Sequence, residues 1–212
     1  MAGTEYQKPR PEQDDASFER KARSRFNSLM NLQAYAALLR GVNVGGHAVV
    51  PMRDLKKAFE DLQFKNVTPV LASGNVAFET KAKGLADLKA SIEAMLGKRF
   101  GLSSTVFLRT SEEIKKLLNA NPFATRTPTS QTKVQVTFLD KKLNPAARFP
   151  LALLSTPFEL VQVSSREICS ALDLSGTART PELMKYLEKQ FGKELTTRTW
   201  ATVEKIGKLM QS

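Results

Sequence analysis

The sequence predicts an α+β protein built from two tandem units of βαββαβ order, preceded by a flexible polar tail. Three observations predict it. Strand-like and helix-like periodicities alternate in that order from residue 32 onward, the order recurs after a linker, and individual residues recur with it. The chain of 212 residues is 42% hydrophobic, enough to bury one sizeable core or two abutting ones.

Residues 1–31 are polar, mixed in charge and rich in Pro, Gln, Asp and Arg, the composition of a flexible tail. The chain's densest basic cluster, Arg20, Lys21, Arg23 and Arg25, falls here. The first unit, residues 32–125, opens on a short apolar strand over Ala34 to Val42. A glycine-rich loop follows, Gly41, Val42, Asn43, Val44, Gly45, Gly46, and then Pro51 suits the first turn of a helix. Met52, Leu55, Phe59 and Leu62 fall on one face of that helix. Val67 to Leu71 and Val76 to Thr80 are strand-like runs separated by Ala72, Ser73, Gly74 and Asn75, a hairpin signal. A second helix places Leu85, Leu88, Ile92, Met95 and Leu96 on one face and stops near Gly101. Thr105 to Leu108 then reads as the fourth strand. Thr110 with Glu113 has the spacing of a capping box, in which each side chain satisfies a free backbone N–H, so a short helix begins there.

Asn121 to Thr132, with two prolines and several Ser and Thr, is the linker. The second unit, residues 126–212, resumes with a strand over Lys133 to Leu139 and a weak helix within Pro145 to Leu154. Strands follow over Glu159 to Val163 and Glu167 to Leu172, then a helix capped by Thr180 with Pro181. Ile92, Leu96, Lys98, Phe100 and Gly101 match Leu183, Leu187, Lys189, Phe191 and Gly192 at one constant offset. Arg109, Thr110, Ile114, Lys116 and Leu117 match Arg198, Thr199, Val203, Lys205 and Ile206 at an offset two residues shorter, which a loop deletion explains. Each half therefore reads as a ferredoxin-like unit, with helices on one face of an antiparallel sheet.

That topology makes the first and third strands antiparallel neighbours, so the end of the first lies beside the start of the third. Arg40 to Gly46 and Ser73 to Asn75 then form one corner, with the N-terminus of the Pro51 helix behind them. Glycines 41, 45 and 46 let backbone N–H groups turn toward a ligand, and a helix N-terminus favours negative charge. The candidate ligand-binding residues are Arg40, Gly41, Asn43, Gly45, Gly46, Ser73, Gly74 and Asn75, and the expected ligand is a small anion bearing phosphate or carboxylate. The same residues also fit a purely conformational reading, since glycine and asparagine are common in turns and neither phosphate-loop nor dinucleotide fingerprints are present. Near the C-terminus, Arg198 and Lys205 are further candidate anion contacts. Trp200 is either a ligand-facing ring or, the reading its place in a first helical turn favours, an anchor for the last helix.

No stretch approaches the apolar length of a membrane span, and no secretory signal is present, so the expected location is cytoplasmic. The single cysteine, Cys169, cannot form an internal disulfide and sits in an apolar alternating run as a packed thiol. No metal site or cofactor is expected. His47, the sole histidine, has no acidic neighbour in sequence and no metal-ligand spacing, and Ser73 lacks the flanks of a nucleophile elbow. These residues do not define an enzyme. The net charge of +11 points to phosphate-bearing partners, but the excess is spread evenly over both halves. Weak, salt-sensitive attraction to nucleic acid is the expectation that follows. RNA-recognition sheets stack bases on aromatics of the two central strands, where this chain offers Asn75, Ala77 and only Tyr35. A protein-interaction module that pairs through its sheets is the remaining alternative.

The motifs carry a resemblance. Tyr35, Ala37, Leu38, Leu39, Arg40, Gly41, Asn43, Val44, Gly45, Gly46, then Val50, Pro51, Met52, then Ser73, Gly74, Asn75, Val76 and finally Thr197, Arg198, Trp200, Thr202, Val203, Lys205 resemble a bacterial family, a domain of unknown function. Its sequences begin with a Tyr-x-Ala-Leu-Leu-Arg-Gly-x-Asn-Val-Gly-Gly stretch. The resemblance implies a duplicated ferredoxin-like fold and no established activity. Two departures stand out: Thr199, Trp200, Ala201 replace a usual Asn-Trp-Asn, and Thr180, Pro181 replace a usual Ser-Lys.

Overall fold

The computed structural model describes residues 32–43, 49–81, 84–126, 128–143, 158–175 and 180–211. The expected tail, the expected helix within Pro145 to Leu154, and Gly45, Gly46 and His47 lie outside the described residues. In chain order the elements are β1 (Leu32–Leu39), α1 (Met52–Asp61), β2 (Lys65–Pro69), β3 (Asn75–Lys81), α2 (Leu85–Phe100), β4 (Val106–Thr110) and α3 (Ser111–Ala120). The second half holds β5 (Thr132–Leu139), β6 (Phe158–Val163), β7 (Glu167–Asp173), α4 (Thr180–Phe191), β8 (Leu195–Thr199) and α5 (Trp200–Met210). The strands form two four-stranded antiparallel sheets, ordered β2-β3-β1-β4 and β6-β7-β5-β8. This is the ferredoxin-like order, twice.

Local signals set the helix ends. Gly101 adopts a left-handed conformation after α2 and closes it with backbone bonds to Gly97 and Leu96. The capping box forms before α3: Thr110 Oγ1 accepts from the Glu113 N–H and Glu113 accepts from the Thr110 N–H. Thr199 caps α5 by accepting from the Thr202 N–H. Thr180 instead is the first residue of α4, and its hydroxyl is engaged by Gln135 and Lys133. Of the apolar face expected on α2, Leu88, Ile92 and Leu96 are buried, whereas Leu85 in the first turn is exposed.

Strand alternation assigns each residue to one of three cores. Tyr35, Ala37, Leu39, Val76 and Phe78 pack against α1 and α2. Leu139, Ile168, Leu172 and Leu195 pack against α4. The opposite faces of both sheets meet in a shared core of Ala36, Leu38, Phe107, Val134, Val136, Phe138, Cys169 and Ala171. Ile114 and Leu117 of α3 and Trp200, Val203 and Ile206 of α5 complete it. The faces on which an RNA-recognition sheet stacks bases are thus spent on each other. Tyr35, the one aromatic expected on such a platform, faces the helices instead and stacks on Phe78 at 5.8 Å.

Candidate functional site

The register of β1 and β3 builds the glycine corner. Leu38 pairs with Asn75, and the Leu39 N–H donates to the Gly74 carbonyl at 2.7 Å, so the loop after β1 and the turn before β3 lie side by side. Gly74 has φ +67°, and a Cβ there would stand 3.0 Å from Cβ of Val42 and 3.2 Å from Leu39. Only glycine fits both the backbone angle and the close approach. Gly41 also has positive φ, +73°, but faces open space. Asn43, itself left-handed at φ 56°, ties off the loop: its amide accepts from the Val50 N–H at 2.7 Å and donates to the Val50 carbonyl at 3.0 Å. Asn75 is fully buried and donates to Val70 O at 3.1 Å and Ser73 Oγ at 2.9 Å, which holds the turn.

The corner is completed from the other half of the chain. Arg198 of β8 donates through Nε to Asn75 Oδ1 and through its terminal nitrogens to Leu39 O at 2.7 Å, Thr197 O at 2.8 Å and Thr196 Oγ1 at 2.8 Å. All four acceptors are uncharged. Desolvation pushes the Arg198 guanidinium down to about 10 from its usual range. Arg40 also crosses between halves, donating to Leu195 O at 3.1 Å and to Lys193 O and pairing with Glu188 of α4. Its charge is therefore already matched. Trp200 docks edge-on against Phe123, with ring centroids 5.2 Å apart, and is 8% exposed, so its ring is spent on packing. Lys205 projects from the exposed side of α5.

A second corner mirrors the first. Arg109 of β4 donates to Leu139 O at 3.0 Å, Leu108 O at 2.8 Å and Arg166 O at 2.9 Å, as Arg198 does to Leu39 O and Thr197 O. Its Nε meets Glu167 at 2.7 Å, where Arg198 meets Asn75, and Glu167 and Asn75 each begin the third strand of their unit. Glu167 thus gives Arg109 a carboxylate where Arg198 meets the neutral amide of Asn75. The guanidinium is fully buried and also lies over Phe138, 5.2 Å from the ring centroid. Arg166 and Glu113 extend the network with a 2.8 Å ion pair. Sequence reasoning missed Arg109, Glu167 and Leu39 as corner-forming residues. The matched positions of Arg109 and Arg198 in the repeat were the available signal.

Elsewhere, Cys169 is buried and its thiol is pushed up to about 12 by desolvation, which leaves no thiolate at neutral pH. Among the described residues no cluster of His, Cys, Asp and Glu is placed to hold a metal ion, and no helix is long and apolar enough to cross a membrane.

Two ferredoxin-like units that share a sheet-to-sheet core and exchange arginines across it define the chain as a duplicated α+β protein. It belongs to the family described as Protein of unknown function (DUF1697), whose match spans residues 32–168. Among solved structures it is similar to the conserved bacterial protein SP0830 from Streptococcus pneumoniae, with a TM-score of 0.64 and 22% identity. That likeness covers 84% of this chain and 99% of the pneumococcal one, and it is a likeness of fold. The curated proteins hold no match to this sequence.

Proposed function

We propose that the glycine corner binds a small anionic ligand, with Arg198 and Asn75 at its base and the Gly41 to Asn43 loop at its mouth. The observation that carries this reading is the unequal pair of corners. Arg109 has Glu167 as counter-ion, whereas among the described residues no carboxylate forms an ion pair with Arg198. A desolvated guanidinium held only by neutral acceptors favours an incoming anion, because the ligand then supplies the missing charge. Two exposed large apolar residues flank the same corner, Val49 at 71% and Leu71 at 47%. Leu71 also adopts φ 58°, a conformation costly for leucine. An anionic group on a partly apolar body suits these surroundings.

Titration with phosphate, nucleotides and sugar phosphates, followed by melting temperature, tests the reading. One of these classes is expected to raise the melting temperature with the logarithm of its concentration. Asn75→Asp supplies the absent carboxylate and is expected to weaken that binding by roughly tenfold or more. A wild-type protein whose melting temperature ignores all three classes would refute the proposal.

A further inference from the structure

The helix-side face of the second sheet carries polar residues where the first carries aromatics. In the first sheet the cross-strand pair Tyr35 and Phe78 seals this face, each ring almost fully buried. The equivalent pair in the second sheet is Gln135 and Ser170, which stand at the same places relative to the end of the first strand and the start of the third. They are 1% and 0% exposed, and among the described residues neither Gln135 Nε2 nor Ser170 Oγ has a hydrogen-bond partner. Gln135 Oε1 accepts from Thr180 Oγ1 at 3.1 Å, and Thr180 Oγ1 accepts from Lys133 Nζ at 3.1 Å. Turning the Gln135 amide over exchanges which terminal atom is left alone but satisfies neither arrangement fully.

Thr180 and Lys133 line a cavity of about 510 Å³ together with Ser130, Gln131, Leu174 and Pro181. None of these residues carries a carboxylate. Buried polar groups are normally paired, so two side by side that find no partner among the described residues, in a spot the sister unit fills with stacked rings, mark a place where a partner is wanting. The groups available to donate are the Gln135 amide N–H, the Ser170 hydroxyl and the Lys133 ammonium, the Thr180 hydroxyl proton being already given to Gln135 Oε1. An occupant rich in acceptors satisfies them.

We propose that Gln135, Ser170, Thr180 and Lys133 form a second binding site, separate from the glycine corner, for a small oxyanion of the carboxylate or phosphate type. The test is a titration of the full-length protein with inorganic phosphate and, separately, acetate, monitored through side-chain amide signals in nitrogen-proton correlation spectra. The Gln135 signal, assigned by its loss in Gln135→Leu, is expected to shift and saturate with one of the two anions, and which one responds names the oxyanion. Lys133→Ala, which leaves the core intact, is expected to weaken that response by roughly tenfold. Two results would overturn the proposal: a Gln135 signal indifferent to both anions at millimolar concentration, as a site holding only water would give, or a response unchanged in Lys133→Ala. Anion binding that persists unaltered in Gln135→Leu belongs to the glycine corner and counts against this second site.

Discussion

Leu118 fills the space that Gly207 leaves open. The two residues are counterparts in the repeat, on α3 and α5, and a Cβ built on Gly207 would overlap Leu118 Cδ1 and stand 3.4 Å from Ile114 Cγ2. The helices that complete the shared core therefore cross at a point where the duplicated halves had to become different. Two leucines cannot occupy one place.

Gly207→Ala is accordingly expected to lose, by pushing aside the terminal methyl of half-buried Leu118, part of the gain in helix propensity, which for Gly to Ala is worth about 1 kcal/mol. Adding Leu118→Ala is expected to restore part of the loss, with a coupling of about 1 kcal/mol between the two sites. Urea denaturation of both single variants and the double variant measures it. Strict additivity would show that the contact does not matter.

Glu167→Gln is expected to destabilise the protein by about 3–5 kcal/mol, because it strands the buried Arg109 guanidinium without its counter-ion. The asymmetry between corners makes the comparison informative. Asn75→Gln, at the equivalent place, removes no charge and is expected to act through packing and turn geometry alone. Salt dependence of the two stability losses distinguishes them, since only the first has an electrostatic origin.

Gly74→Ala and Gly41→Ala share a positive φ but not their surroundings. At Gly41 the cost is the left-handed backbone alone, about 1–2 kcal/mol. At Gly74 the clash with Val42 and Leu39 adds to it, so Gly74→Ala is expected to be the more damaging of the two by at least about 1 kcal/mol. Chemical denaturation gives the ranking directly, and equal losses would contradict the close approach seen here.

Burial raises the Cys169 thiol from 9.0 to about 12. The native state thus holds its proton above pH 9, where the unfolded chain releases it. This contribution to stability is full below about pH 9 and is lost as pH rises toward about 12, at a slope near 1.4 kcal/mol per pH unit. Cys169→Ala is expected to flatten the stability profile in that window relative to wild type. A thiol reagent at pH 8 is expected to label the native protein only as fast as the core opens.

Attraction to nucleic acid is expected to be weak, indifferent to sequence and abolished by moderate salt, as a diffuse net charge of +11 provides and an absent stacking platform allows. Fluorescence anisotropy with single-stranded RNA across a salt series checks it. Tight binding that survives high salt would require a surface other than the two sheets.

Much of this architecture was legible along the chain because it rests on local causes. The strand and helix periods, Gly101 as a stop, and the Thr110 and Glu113 capping box are settled by neighbours within a turn or a hairpin. The adjacency of the Gly41 loop and the Ser73 to Asn75 turn followed from topology, and the paired register of Leu38 and Asn75 realises it. The repeat placed Arg109 and Arg198 at matching positions, although not what they touch.

What the sequence determined by itself was the order of the described elements, their duplication and the corner that strand pairing creates, since each depends on periodicity and turn chemistry written in consecutive residues. Tertiary structure alone decided that the sheets bury their faces against each other and turn Tyr35 inward. It also decided that Arg40 and Arg198 spend their charge-bearing groups on bonds between halves, and that Gln135 Nε2 and Ser170 Oγ find no partner among the described residues. Those outcomes depend on which residues distant in the chain meet, and on whether a buried donor finds an acceptor there. Neither is encoded in any local pattern.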